Sequence, residues 1–502
     1  MLAPQHENIV ISARLLFASL QGERLQVTRL LASLALVLLA GCAAYHAQPL
    51  HPAESEAILR ARSVTDAGLK SLVQQSFTNR YASWPPEQFD LEALTLVALY
   101  FHPDMAVARA RLAGARAAEV TAGARPNPTV SILPTYVVDS FADETPWMFG
   151  VSFDVPIETA GKRGHRLDQA RQTTLAARLA LAEAGWNVRS RLRAALVEFW
   201  TARAELETFQ NEAELSAQLS ALLEQRMDAG DISRFDLTLA QSAALNSKIA
   251  VHAAATRLAD ARIALAAALG LPAAALDQIP LAWPEFETPR DDFPEAALQD
   301  AGLLNRLDVR RALAEYAALE AALQLEVAKQ YPDIHLDPGY EFDQGQHKFS
   351  LGPSLTLPLL DRNQGPIAEA VARRDEAAAA FLALQSDVIH QTEKAGSDYR
   401  SALAEWKETD GLAAKLQQSA EKSAEQQARE GESDRVALLQ ARLQSADARR
   451  ARLESLRRAQ DALGALEDAA QRPLSEESDW RALSHLLAES PPSASTTTKG
   501  SP

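Results

Sequence analysis

The chain has 502 residues, long enough for three or four ordinary domains of about 100–200 residues each, but its composition argues against them. Aromatic residues make up 6%, and Ala, Leu, Arg, Glu and Gln crowd most of the length, a mixture that favours long helices packed through small side chains over compact cores. The 50 Lys and Arg against 66 Asp and Glu give a net charge of −16 with no separate basic stripe, which excludes an electrostatic grip on nucleic-acid phosphates. The one cysteine, Cys42, excludes an intramolecular disulfide and a cysteine-based zinc cluster.

Residues 1–41 read as a signal peptide. Leu30 to Ala40 (LLASLALVLLA) is an apolar run behind Arg24 and Arg29, too short to span a bilayer as a helix and of the right length for the apolar region of a secretory signal. Glu7 and Glu23 are unusual in the leading segment, and Val27 is a candidate start. Leu39-Ala40-Gly41-Cys42 then resembles the bacterial lipoprotein box, in which the cysteine is acylated and becomes the new N-terminus. Each buried methylene of such an anchor contributes roughly 0.8 kcal/mol. Ala43 is not the aspartate that in lipoproteins of this kind favours inner-membrane retention.

Residues 42–90 are read as a lipid-anchored lead segment, and residues 91–270 as the first of two repeats. Within it the hydrophobic period switches to two. Val130, Ile132, Tyr136 and Val138 alternate with polar residues, and Trp147, Phe149, Val151, Phe153 and Val155 alternate with Gly150, Ser152 and Asp154, the pattern of strands with one apolar face. A long helix is predicted from about Arg166 to Asp228, with a 3–4 seam at Leu167, Ala170, Thr174, Ala177, Leu181, Ala184 and Val188 and with Arg and Glu at the outer positions. Gly230 is placed to cap it and Ser233 to start a returning helix. Residues 271–294, with five prolines, read as a linker.

The second repeat, residues 295–472, follows the same plan. Ile334, Leu336, Tyr340 and Phe342, and then Phe349, Leu351, Leu355, Leu357 and Leu359, alternate with polar residues. A long helix from about Ile367 to Arg429 leads to Gly431, with Asp434 placed to cap the return. AREGESDRVALLQA at Ala428 to Ala441 matches MDAGDISRFDLTLA at Met227 to Ala240, pairing Gly431 with Gly230, Glu432 with Asp231, Arg435 with Arg234 and Leu438 with Leu237 at one offset. Residues 473–502 form a tail whose Ser, Thr and Pro content predicts disorder beyond Pro491. The fold expected is mainly α with a small β part: two long antiparallel helical hairpins and four strands of about 10 residues, the length that crosses a bilayer when tilted. Two hairpins cannot close a barrel, so several chains must share one.

The doubled plan, Arg125-Pro126-Asn127-Pro128 and Tyr331-Pro332-Asp333 before strands, Pro156 and Pro358 after them, and the glycine turns together resemble the TolC family of outer-membrane efflux proteins over nearly all of the mature chain. The resemblance implies a homotrimer in which 12 strands form an outer-membrane barrel and the helices form a periplasmic tunnel (an α-barrel). Its tip meets an adaptor (membrane fusion protein) and an inner-membrane resistance-nodulation-division pump. Pro156-Ile157-Glu158-Thr159-Ala160-Gly161-Lys162-Arg163 is similar to the P-I-E-x-x-G-K-R stretch of the CzcC-like branch, which serves heavy-metal efflux. The second repeat departs from it with Pro358-Leu359-Leu360-Asp361-Arg362-Asn363. The tip turns Gly230, Gly431, Arg234 and Arg435, with the candidate gate carboxylates Asp231, Asp236, Glu430, Glu432 and Asp434, are the expected gating elements. Trp147, Phe149, Val151, Phe153 and Val155 are the expected lipid-facing strand.

An enzyme is not expected. Gly161-Lys162-Arg163 lacks the features of a phosphate loop, no GxSxG or HExxH occurs, and carboxylates on such helices are usually partners of Arg or Lys four residues away. No histidine pair has a metal-binding spacing, so no cofactor or resident metal is predicted. The reading from a different class is a lipid-tethered periplasmic coiled-coil scaffold without a pore. Cys42→Ala should abolish incorporation of labelled palmitate into the mature chain, and continued labelling would remove the lipoprotein assignment.

Overall fold

The computed structural model describes residues 45–76, 81, 83–138, 145–291, 305–343, 345–430 and 435–474. Cys42 with the signal segment, Gly431, Glu432 and Asp434, and the tail beyond residue 474 lie outside the described residues. The chain separates into two units, residues 1–58 and 59–502. Helix α1 (Pro52–Arg60) is followed by α2 (Ala67–Ser76), α3 (Leu91–Phe101) and α4 (Pro103–Gly123). Strands β1 (Thr129–Tyr136) and β2 (Trp147–Ile157) lead into α5 (Lys162–Asp228) and α6 (Arg234–Leu269). The second repeat runs α7 (Leu307–Ala328), β3 (Ile334–Asp343), β4 (Gln346–Leu355), α8 (Gln364–Glu430) and α9 (Arg435–Ala470).

The duplication is carried into element lengths. Helices α5 and α8 have 67 residues each and α6 and α9 have 36 each, so each long helix extends about 100 Å. Both start four or three residues earlier than the seam predicted, because Gly161 and Asn363 take left-handed conformations (φ 72° and 62°) directly before the first helical residue and turn the chain out of the strand. The α6 seam at Leu237, Ala240, Ala244, Ser247, Val251, Ala254, Leu258, Ala261 and Leu265 is buried or half-buried throughout, as is that of α5. Helix α9 buries a second stripe, Val436, Leu439, Ala446, Leu453 and Leu456, because it packs on α5 of the first repeat as well as on α8.

The four strands form one antiparallel sheet in the order β1-β2-β3-β4. Its register aligns Val130 with Phe153, Ile132 with Val151 and Tyr136 with Trp147. It also aligns Phe149 with Phe342 and Val151 with Tyr340, and Tyr340 with Phe349 and Pro338 with Leu351. Since side chains alternate across a pleated sheet, every apolar series falls on one face. The other carries Ser131, Ser152, Asp154, His335, Asp337, Glu341, Lys348 and Ser354. Leu357 and Leu359 lie past the end of β4.

Composition alone underestimated the core. Where α3, α5, the C-terminal end of α6 and α9 meet, a dense cluster forms from Leu94, Val97, Phe101, Leu192, Leu196, Leu265, Leu269 and Leu456. Residues read as lead and linker join it: Trp84, Phe89, Leu276, Ile279, Trp283 and Phe286 are all buried there. The scarce aromatics are concentrated at this waist.

A second departure is charge inside the waist. Arg189 and Arg193 on α5 are buried where solvent-facing positions were expected. Arg189 donates to Glu467 of α9 at 2.9 Å, and Arg193 donates to the Gln460 carbonyl at 2.7 Å and side chain at 2.9 Å. Gly464 makes room: a Cβ there would lie 2.5 Å from the Arg193 guanidinium. Gln460 in turn donates to the Phe286 carbonyl at 2.7 Å, and Leu474 N donates to Glu467 at 3.0 Å. One polar network thus ties the first hairpin, the second hairpin, the inter-repeat segment and the chain beyond α9.

Burial pushes the Glu467 carboxyl up, but the two guanidiniums and the Leu474 N–H outweigh it and hold it below its ordinary value. A depressed folded value means that this stabilisation is complete above about pH 4.5, the ordinary glutamate value, and is lost as pH falls through the folded one. Glu467→Ala strands two buried guanidiniums and should destabilise by about 3–5 kcal/mol. Thermal unfolding of the solubilised protein reads that loss, and the gap between variant and wild type should narrow as pH falls well below 4.5.

Candidate functional site: sheet, joint and tip

Among the described residues, nothing of the chain covers the sheet's apolar face. Trp147, Phe153, Phe349 and Leu351 are 58%, 44%, 82% and 72% exposed, and every residue of β1 is exposed. Val151 and Val155, of the same face, are half-buried. Tyr136 and Trp147 meet edge-to-face at 5.0 Å, and Tyr340 lies 5.3 Å from Phe349, so aromatic rings gather at the end away from the helices. Aliphatic Ile157, Ile334 and Leu355 hold the helical end. Among the described residues, the outer edges of β1 and β4 pair with no strand. Among the described residues no single helix is long and apolar enough to cross a membrane, and the bent pair α3–α4 that reaches that hydropathy has α3 buried at the waist.

The motif Glu158-Thr159-Ala160-Gly161-Lys162-Arg163 forms the joint between β2 and α5. Lys162 is buried and its Nζ donates to Asp333 at 2.8 Å. Thr159 N donates to the same carboxylate at 2.9 Å, and Thr159 Oγ1 to the Pro332 carbonyl at 2.7 Å. Arg163 closes the end of α4 by donating to the Gly123 carbonyl at 2.6 Å. Arg166 forks onto Glu158. Lys162 and Arg163 are thus ties between elements far apart in the chain. Arg166 also donates to the Ala124 carbonyl at 3.3 Å, and Arg171 makes an exposed pair with Asp168 at 3.3 Å. Asp333, in the segment that leads into β3, receives Lys162 from 171 residues away.

The second joint is built differently. Asn363 occupies the place of Gly161, asparagine being the side-chain-bearing residue that best tolerates the left-handed region. Its Nδ2 donates to the Glu326 carbonyl at 2.8 Å and carboxylate at 2.9 Å. The departure from the first-repeat motif therefore replaces a buried ion pair with a side-chain amide clasp.

At the opposite end of the helices, the α5–α6 turn is tightly specified. Gly230, at φ 84°, donates to the Met227 carbonyl at 2.9 Å, and Asp231 N donates to the Arg226 carbonyl at 2.9 Å, a Schellman closure that needs a residue free of Cβ strain. Ser233 accepts from Asp236 N at 3.2 Å while its own N–H and hydroxyl donate to the Asp236 carboxylate at 3.4 and 2.7 Å. Asp236 is thereby engaged in a capping box, whereas Asp231 and Arg234 are exposed. In the second repeat Glu430 ends α8 and Arg435, exposed, begins α9. Glu432, Asp434 and Gly431 fall outside the described residues. Among the described residues no three His, Cys, Asp or Glu side chains converge as a metal cluster would.

Residues 97–271 match the family model described as outer membrane efflux protein. The cobalt-zinc-cadmium resistance protein CzcC of Cupriavidus metallidurans is 27% identical over 266 residues, 51% of this chain. The chain spans about 60% of the length of that curated relative. Among solved structures, the outer membrane protein VceC of Vibrio cholerae is similar with a TM-score of 0.62 at 22% identity, over 77% of this chain and 97% of that one. The Campylobacter jejuni CmeC outer membrane channel gives 0.64 at 14% identity, over 89% and 98%. The architecture of a small four-stranded sheet on two long helical hairpins is the fold of these outer-membrane channels, and the first repeat carries the match to the outer membrane efflux protein model.

Proposed function

We propose that the protein is the outer-membrane exit duct of a tripartite efflux system, working as a homotrimer with a periplasmic adaptor and an inner-membrane resistance-nodulation-division pump. The observation that carries this reading is the sheet: a continuous apolar face without a covering layer, a polar opposite face, and two open edges. In water such a face is an aggregation hazard. In a bilayer it is the required outer surface, provided that the edges are closed by copies of the same sheet. Three chains give 12 strands, and each β4 edge then meets the β1 edge of a neighbour. The long helices below continue the wall across the periplasm, and Cys42, acylated, adds a lipid anchor to the outer membrane.

Two features support heavy-metal cations as the substrate: the similarity to CzcC over 266 residues, and the Pro156 to Arg163 stretch built as a strand-to-helix joint. At the tip, exposed Asp231 of each copy would stand near the threefold axis beside Arg234, a ring of like charge that draws cations toward the constriction; the acidic residues of the second turn, Glu430, Glu432 and Asp434, would add to it by their charge. Asp236 contributes chiefly to its cap. A lipid-tethered scaffold would leave this apolar face in water, since no described element of the chain covers it.

The pore is tested in planar bilayers. Phe153→Arg on the apolar face should cost about 2–4 kcal/mol of insertion and reduce assembled protein, whereas Ser152→Arg should leave assembly intact and lower conductance. Unchanged assembly and conductance in both would remove the barrel. For the tip, Arg435→Ala should raise leak and antibiotic entry, with Arg234→Ala doing so less, and identical conductance and cation block in both would reduce these residues to turn formers.

A further inference from the structure

The polar face of the sheet carries one side-chain pair whose chemistry exceeds that of a solvated wall. Asp154 of β2 and His335 of β3 lie on the same face, where the register sets His335 opposite Pro156 and Ser354. His335 Nδ1 is 2.7 Å from Asp154 Oδ1. An ionised carboxylate can only accept, so Nδ1 carries the proton and the lone pair of the neutral ring is on Nε2. The side chains stay 38% and 42% exposed. The surroundings are open: Asp337, two residues along β3 on the same face, stands opposite Gly352, and nothing lies within 4 Å of where a Gly352 Cβ would be.

This is the arrangement by which proteins prepare an imidazole for a metal: the carboxylate holds the ring and fixes its tautomer, leaving the other nitrogen as ligand. We infer that His335, oriented by Asp154 and assisted by Asp337, is a transit site for a borderline divalent cation such as Co²⁺ or Zn²⁺ on the lumenal face of the barrel. Imidazole with carboxylate selects such ions over Mg²⁺, which prefers all-oxygen shells. With no convergent third ligand of the usual kind among the described residues, water completes the shell. The ion is therefore held weakly enough to leave, the condition that conduction sets on any site in a pore. Three copies place three equivalent sites at one height of the duct. Lys348, the basic residue on the same face, is occupied by Asp343 and does not compete for Asp154. His347 lies on the apolar face, its Nδ1 2.7 Å from the Tyr340 hydroxyl, and is not part of the site.

The location of the site inside a lumen rests on the pore reading, but binding can be measured apart from conduction. Full-length protein in detergent is titrated with Co²⁺ alone, and the reaction of each histidine with diethyl pyrocarbonate is followed by peptide mass spectrometry. Co²⁺ should protect His335 at concentrations that leave His347 reactive, and Mg²⁺ should not protect it. Asp154→Asn should raise the half-protecting Co²⁺ concentration about tenfold with His347 reactivity unchanged. Asp337→Asn should raise it severalfold. Failure of Co²⁺ to protect His335, or equal protection in wild type and Asp154→Asn, overturns the proposal. Protection without channel conductance would leave the site standing and remove the pore, and conductance without protection would do the reverse.

Discussion

A sheet face that its own chain cannot cover sets the terms for the rest of the molecule. Trp147, Phe149, Phe153, Tyr340, Phe349 and Leu351 share one surface, which suits the proposed bilayer setting, and hydrocarbon tolerates no unpaired backbone edge. In that setting the edges of β1 and β4, unpaired among the described residues, would be closed by other copies. With those copies the long helices would have a use, since a wall of helices repeated about an axis can enclose a tunnel that one chain cannot.

A barrel shared in the proposed way would need firm joints on such long levers, and the chain supplies them where strand becomes helix and where hairpin meets hairpin. At the first site Lys162 and Thr159 converge on Asp333 and couple the two repeats directly beneath the sheet. At the waist, Arg189, Arg193 and Glu467 couple them again, inside a core built from Trp84, Trp283, Phe286 and the ends of α3 and α6. Buried ion pairs of this kind are costly to desolvate and costly to break, so they fix the register of α9 on α5 in one arrangement. On the tip side of the waist the described helices are held by their seams, by the inter-helix pairs Arg257–Glu205, Arg450–Glu212 and Arg452–Asp410, and by the capped turn at Gly230. Buried charge thus braces the structure beneath the sheet and at its middle, while the ion pairs toward the tip are more exposed.

What could be read in the sequence was what is local and periodic. The alternation from Trp147 to Val155, the 3–4 seams and the Gly230 turn are each written within a few residues, and the internal duplication doubles the signal. What could not be read was what joins distant segments. Gly464 looks like a weak point in a helix until Arg193, from the other repeat, is found in the space it leaves. Trp283 and Phe286 sit in a proline-rich stretch whose composition signals a linker, and only their burial against α3 and α5 shows a core. The Glu158 to Arg163 motif was legible as a family mark, but its physical role depends on Asp333 and Gly123, which no spacing rule connects to it.

The claim on which everything else depends is that the sheet completes itself with copies of the same chain in a membrane. The measurement that tests it most directly is the mass of the full-length particle extracted from membranes, after enzymatic removal of the acyl chains, with and without detergent. The account predicts a trimer that still requires detergent and that collapses to a monomer only on heating. A soluble monomer in plain buffer would contradict it.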